Sequence, residues 1–233
     1  MDTMAVERLA EGLWRWTVPH PQWREGQDWD RVVGCVYCET PGAVVVIDPL
    51  VPQEASERER FWRALDGDVE RLAVPVVVLL TCRWHVRSAA ALRDRYGARV
   101  LGPSTEGPST EGPSLAGVVS GVPGDGTWPV EGIQAFSSGM PHPEEELVYW
   151  IAAHRAVVPG DVLLGRSSGV RVAPPGWYSG SDGEREWYAG GLRRSLRRLV
   201  ALDPEMLLVA HGEPVRSGAA AVLAAALDAP SDA

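Results

Sequence analysis

The chain has 233 residues, 22 Lys+Arg against 31 Asp+Glu, a formal net charge of −9, and 45% apolar residues. That length buries roughly 70–75% of the unfolded surface without needing a disulfide or structural metal. The acidic balance excludes a phosphate-backbone binder, no apolar run approaches the roughly 18–20 residues of a membrane span, and the complete lack of lysine excludes Walker-type loops and Schiff-base chemistry.

The opening MDTMAVERLAEG has neither the basic flank nor the apolar core of a secretory leader. Residues 6–18 predict one or two strands around Glu11-Gly12, and 19–31 a polar, aromatic surface loop of functional type. VVGCVYCE (32–39), a Pro41-Gly42 turn and AVVVID (43–48) predict a hairpin, its second strand buried on both faces. Residues 54–66 place Phe61, Trp62 and Leu65 on one side of an amphipathic helix. VPVVVLLT (74–81), a helix over 86–97 closed by Gly97, and RVLG (99–102) form a βαβ unit. Residues 102–114 (GPSTEGPSTEGPS) are a low-complexity surface loop to which no function is assigned.

The second half predicts strands at 115–120, 132–137, 147–152 and 155–159, a turn at Pro159-Gly160-Asp161, and a helix over 184–201. The arginines of that helix (Arg193, Arg194, Arg197, Arg198) read as a solvated face. A strand, EMLLVA (205–210), ends at His211-Gly212, and an Ala-rich helix follows over 217–228. Two halves with strands and outer helices, and no linker between them, predict one α/β domain over 1–233.

In layered α/β folds functional residues collect at the C-terminal ends of strands. Four such ends stand out: Asp48, the run from Thr81 to Arg87, Asp161 and His211. With VVVIDP, LLT before a helix, VVPGDVLLG and LLVAHGEPV in this order and spacing, the chain resembles the metallo-β-lactamase superfamily over most of its length. The resemblance implies a four-layer αβ/βα sandwich of two mixed sheets flanked by helices. It also implies one or two metal ions between the sheets, and hydrolysis of thioesters, lactams, phosphoesters or similar bonds by metal-activated water.

The metal motif departs from that pattern. Where the family continues from threonine with His-x-His-x-Asp-His, this chain has Cys82, Arg83, Trp84, His85, Val86 and Arg87, with His85 at a spacer position. The family's next histidine aligns with Met140, and His142 lies two places on. Asp161 and His211 are the ligand positions that keep their residues, and catalytic zinc needs three protein ligands. Cys82 or His142 is the third if one ion binds. The expectation is therefore an eroded site without its dinuclear metal. Arg87 pairs there with the buried Asp161 in place of the metal charge, Trp84 fills the vacated volume, and Asp48 supports from behind.

Asp161, His211, Cys82 and His85 are the candidate catalytic residues. His85 equally reads as an exposed first-turn residue, and His142 as part of a solvated loop. Cys35 and Cys38 are three apart in a strand, so they point to opposite faces and read as buried cysteines rather than half of a zinc site completed by Cys82 and His85. Trp23 and Trp29 are placed to roof the cleft. The leading functional reading is a non-zinc protein that binds a small molecule in the cleft between the sheets, or runs chemistry through Cys82, His85 or His211. The alternative is a hydrolase with one divalent ion such as zinc, acting on a thioester, ester or lactam. A third is a structural or regulatory protein. The sparse, odd set of three cysteines points to a reducing cytoplasm.

Overall fold

Period-two alternation sets the layers. The structure, a computed structural model, describes residues 3–104, 114–140, 145–178 and 180–229. In it β1 (Ala5–Ala10), β2 (Leu13–Pro19), β3 (Val32–Thr40), β4 (Ala43–Ile47), β5 (Val76–Leu79) and β6 (Arg99–Leu101) form a six-stranded sheet in chain order. The first four strands are antiparallel. β4, β5 and β6 run parallel and are joined by α1 (Ala55–Leu72) and α2 (Ala89–Tyr96), as parallel neighbours require a helical crossover.

A second, four-stranded sheet holds β7 (Ile133–Ser137), β8 (Leu147–Ile151) and β9 (Ala156–Val158). A separate hairpin of β10 (Leu163–Arg166) and β11 (Gly169–Val172) follows, and β12 (Met206–Leu207) completes the second sheet beside β9. Between β11 and β12 lie a 3₁₀ turn (Pro175–Tyr178), α3 (Asp182–Glu186), a π turn (Trp187–Gly191) and α4 (Leu192–Val200). α5 (Ala219–Asp228) follows β12.

Alternate residues of each central strand enter different apolar layers. Val33, Cys35 and Tyr37 of β3 face α1 and α2, while Val36 and Cys38 face the second sheet. On β8, Leu147, Tyr149 and Ile151 point at the first sheet, and Val148 and Trp150 at α4 and α5. Each fully buried large apolar side chain contributes about 1.5–3 kcal/mol. The result is helix, sheet, sheet, helix: the αβ/βα sandwich expected from the sequence. Cys35 and Cys38 are buried on opposite faces, as the strand spacing predicts.

Three local expectations differ from the structure. Residues 115–120 make no strand; their segment touches β6 through turns, with Ser120 N–H donating to Val100 O at 2.8 Å. The helix expected over 184–201 is α3, a π turn and α4 in succession. The β10–β11 hairpin went unpredicted. The repeat loop lies mostly, and His142 wholly, outside the described residues. Among the described residues no helix is long and apolar enough to cross a membrane.

Candidate functional site

The site forms where the ends of both sheets meet. β4 runs into Asp48, whose backbone takes a left-handed φ of 53° while its N–H donates to Leu79 O at 3.0 Å. This turn aims the carboxylate at the end of β5, where Thr81 donates to it from N–H (2.8 Å) and Oγ1 (2.7 Å). Beyond Thr81 the chain winds into a 3₁₀ turn, Arg83–Val86, capped by Cys82. Side chains three apart eclipse in a 3₁₀ helix, so Cys82 and His85 share its inner side and Trp84 points out. His85 is 1% exposed and Trp84 52%.

The second sheet brings the other half. Leu147 N–H donates to Thr81 O at 2.7 Å and Tyr149 Oη to Leu80 O at 3.0 Å, clamping β8 to the end of β5. Past β9, Gly160 adopts φ 63°, and a Cβ there would stand 2.6 Å from Thr81 Cβ. Only glycine lets Asp161 come so close to Thr81. His211 lies in a bridge to Val33, and the flanking Ala210 O accepts from Gly34 N–H at 2.7 Å. Arg15, buried, donates from Nη2 to Val209 O (3.2 Å) and Gly212 O (3.3 Å).

Four side chains converge there. His85 Nδ1 is 2.9 Å from Asp48 Oδ2 and 2.9 Å from Thr81 Oγ1. His85 Nε2 stands 3.2 Å, and His211 Nε2 3.4 Å, from Asp161 Oδ1. Cys82 Sγ reaches Asp161 Oδ2 at 3.7 Å. Donor atoms of Cys82, His85 and Asp161 all lie within 4.8 Å of one another. Yet His85 Nε2 and Asp161 Oδ1, with Glu146 Oε2 beside them, are buried without a hydrogen-bond partner. They are near without being aligned, as ligands aimed at a common point are.

The electrostatics follow from burial and crowding. Burial and the Arg87 charge push the His85 pKa down, but Asp161, Cys82 and Asp48 prevail and hold it well above the usual histidine value. Burial raises the Asp161 carboxyl, and the nearby His85, His211 and Arg87 charges more than reverse this, keeping it below the ordinary carboxylate range. Burial pushes the Cys82 thiol up to about 12. Burial and then the Asp161 charge raise Glu146, whose Oε1 accepts from Tyr178 Oη at 2.8 Å. Burial, partly opposed by Asp161, lowers His211 to about 4.

Cys82, His85 and Asp161 could hold a single ion. Tetrahedral zinc with bonds of about 2.0–2.3 Å has ligand–ligand edges of about 3.3–3.8 Å. From Asp161 Oδ1, His85 Nε2 at 3.2 Å and His211 Nε2 at 3.4 Å lie near that range, and Cys82 Sγ lies 3.7 Å from Oδ2; the Cys82, His85 and Asp161 donors lie within 4.8 Å of one another. Behind the site, Asp48 and Thr81 fix the far nitrogen of His85, the arrangement that orients metal-bound histidines.

Two sequence expectations are corrected. Arg87 lines the cleft but forms no ion pair with Asp161; its Nη1 donates to Asp48 O at 3.5 Å, after a chain reversal at φ 25°. His85 holds the place beside Asp161 that Arg87 was expected to take. Trp84 does not fill the centre but stands at the rim. Met140 is packed in the outer core of the second sheet. His85, a candidate catalytic residue despite its spacer position in the family pattern, lies beside Asp161, and Cys82 and His85 share one face because the turn is 3₁₀.

The cleft above these groups holds about 410 Å³. His211 is flanked edge-on by Trp29 (5.6 Å between ring centres) and Trp177 (6.2 Å). Trp177 Nε1 donates to Asp28 Oδ2 at 2.6 Å, tying the first loop to the 3₁₀ turn before α3. Trp29 thus roofs the cleft as expected. Trp23 instead donates its indole N–H to Trp29 O at 2.8 Å, bracing the loop. Glu146, Trp177, Tyr178 and His20 also line the cleft and had no sequence motif to announce them.

No family model matches the sequence, and no curated protein matches it significantly. Solved structures do. VMB-1 aligns over 96% of this chain and 94% of its own, at TM-score 0.63 and 13% identity. A metallo-beta-lactamase from Pontibacter korlensis aligns over 98% and 100%, at 0.62 and 15%. One from Erythrobacter litoralis aligns over 97% and 91%, at 0.61 and 14%. Likeness at such identity speaks for architecture alone. The two mixed sheets, their flanking helices and these full-length alignments together show that the chain has the metallo-β-lactamase fold.

Proposed function

We propose that this chain is a hydrolase working with one divalent ion, zinc by ligand chemistry, held by Cys82, His85 and Asp161 with His211 beside them. The observation that carries the reading is the convergence of those three donors within 4.8 Å while His85 Nε2 and Asp161 Oδ1 lack hydrogen-bond partners. Leaving buried polar atoms unpaired costs about 1–3 kcal/mol each, and native chains keep few of them. Thiolate, imidazole and carboxylate are all zinc ligands, and three of them with an open position is the catalytic pattern.

When bound, such an ion polarises a carbonyl and makes water acidic enough to attack near neutral pH. The protein's own groups supply the rest. Asp48 and Thr81 hold the His85 ring in one orientation. Arg87 sets a permanent positive charge at the edge of the cleft, which opposes a second ion. Trp29, Trp84 and Trp177 give the cleft an aromatic rim, suited to a small molecule with an apolar or aromatic part next to the scissile bond. An ester, thioester or lactam is the bond class we assign, supported by the metallo-beta-lactamases among the structures of like fold.

Zinc titration of metal-stripped protein, read by calorimetry and elemental analysis, tests this. We expect about one zinc per chain, with Cys82→Ser and His85→Ala each weakening it at least tenfold and Trp84→Ala leaving it unchanged. Absence of saturable zinc uptake, or equal uptake by His85→Ala, would overturn the metal and return the cleft to metal-free binding of a small molecule.

A further inference from the structure

We infer that a second site, on the outer side of the second sheet and apart from the cleft, binds a small oxyanion of the phosphate type. A hollow of about 130 Å³ lies between the β10–β11 hairpin, Pro174-Pro175, α4 and α5. Arg166, Arg171 and Arg193 line it, and among the described residues no Asp or Glu does, in a chain of net charge −9.

The fold puts these cations together. In the hairpin register Arg171 faces Leu164, and Arg166 lies two residues along from Leu164. Side chains two apart in a strand share a face, so Arg166 and Arg171 stand diagonally on one face of the hairpin. α4 brings Arg193 across from them. Arg193 Nη2 donates to Ala229 O at 3.4 Å, while its Nη1 is buried without a hydrogen-bond partner.

Its neighbours on α4 differ. Arg197 pairs with Asp228 at 2.6 Å and Arg198 with Asp125 at 2.7 Å. The solvated-face reading therefore describes those two and not Arg193. Guanidinium forks match oxyanions in two-point contacts, and like charges gathered in one hollow are stabilised by an anion between them. The remaining walls include Val170, Val172 and the two prolines. Tyr188 also lines it, but its hydroxyl donates to Ala173 O at 2.7 Å, so the hollow suits inorganic phosphate or the phosphoryl end of a monoester.

Calorimetric titration with inorganic phosphate at constant ionic strength tests the site, with chloride as the blank. We expect one saturable site per chain, weakened at least tenfold in Arg171→Ala/Arg193→Ala and in Arg193→Glu. Arg194→Ala, an exposed neighbour on α4, should change it less than twofold. His85→Ala should also keep it, which separates this site from the cleft. Phosphate binding lost in His85→Ala but kept in the double variant would assign the anion to the cleft and overturn the proposal. Equal binding by all variants, or none by the wild type, would overturn it as well. A phenyl phosphate arm separates the two sources of the ligand: binding as tight as inorganic phosphate admits a monoester, and its loss restricts the site to the free ion.

Discussion

One imidazole joins carboxylates from the two sheets: His85 Nδ1 lies 2.9 Å from Asp48 Oδ2, and His85 Nε2 lies 3.2 Å from Asp161 Oδ1. Asp48 fixes the ring, so Nε2 and not Nδ1 faces the open side. Partners of this kind typically contribute about 10–100-fold to metal affinity. Asp48→Asn should therefore weaken zinc by about that factor in competition with a chromophoric chelator. Unchanged affinity would mean that Asp48 serves only the Thr81 turn.

Removing the metal should lower thermal stability, because an ion that binds only the folded state stabilises it. At a free concentration a thousand times the Kd this amounts to about 4 kcal/mol, or about 8–16 °C for a domain of this size. Calorimetric scans with and without chelator read the effect, and zinc readdition should restore it. In Cys82→Ser the drop should shrink by about 1.4 kcal/mol or more, the equivalent of at least tenfold weaker zinc; a drop of the same size there would sever it from the site.

Gly160→Ala forces a Cβ to 2.6 Å from Thr81 Cβ at a φ of 63°. Strained backbone of this kind costs about 1–3 kcal/mol, and the clash acts directly on the segment carrying Asp161. Urea unfolding should show a loss in that range, with weaker zinc uptake. A loss below about 0.5 kcal/mol, typical of neutral surface changes, would show that the turn relaxes freely.

Arg15 ties β2 to the segment after β12 that carries His211 through Val209 O and Gly212 O. Arg15→Met keeps the stem and removes the donors, leaving carbonyls unpaired at about 1–3 kcal/mol each. Equilibrium unfolding measures the loss, and histidine NMR shifts report whether His211 moves. Stability within 0.5 kcal/mol of wild type would show that neighbouring N–H groups suffice.

Asp28→Ala removes the acceptor of the Trp177 indole, 2.6 Å away, which links the two halves of the cleft roof. The pair is exposed, so global stability should fall by no more than about 1.5 kcal/mol. Hydrogen exchange over 20–31 should quicken, because this bond joins the loop to the 3₁₀ turn before α3. Unchanged exchange would place the loop's order elsewhere.

Much of this molecule was legible in its residues. Unbroken apolar runs at 43–47 and 76–79 mark central strands, and turn residues after them mark Asp48, Asp161 and His211 as strand-end side chains. The site's inner geometry was not. Counting along an α-helical or family register placed His85 at a spacer and Arg87 beside Asp161. A 3₁₀ turn changes which residues coincide, bringing Cys82 and His85 onto one side of it. Glu146, Trp177 and Tyr178 carry no spacing signal, since they reach the cleft from segments far apart in the chain.

By itself the sequence determined the layered α/β architecture and the four strand ends where chemistry gathers, because burial patterns and turn residues are local properties. Tertiary structure alone decided that His85 turns inward, that Arg87 leaves Asp161 to two histidines and a thiol, and that Arg193 differs from its helical neighbours. The first two depend on distances between the ends of the two packed sheets, and the third on how α4 packs against the β10–β11 hairpin and α5.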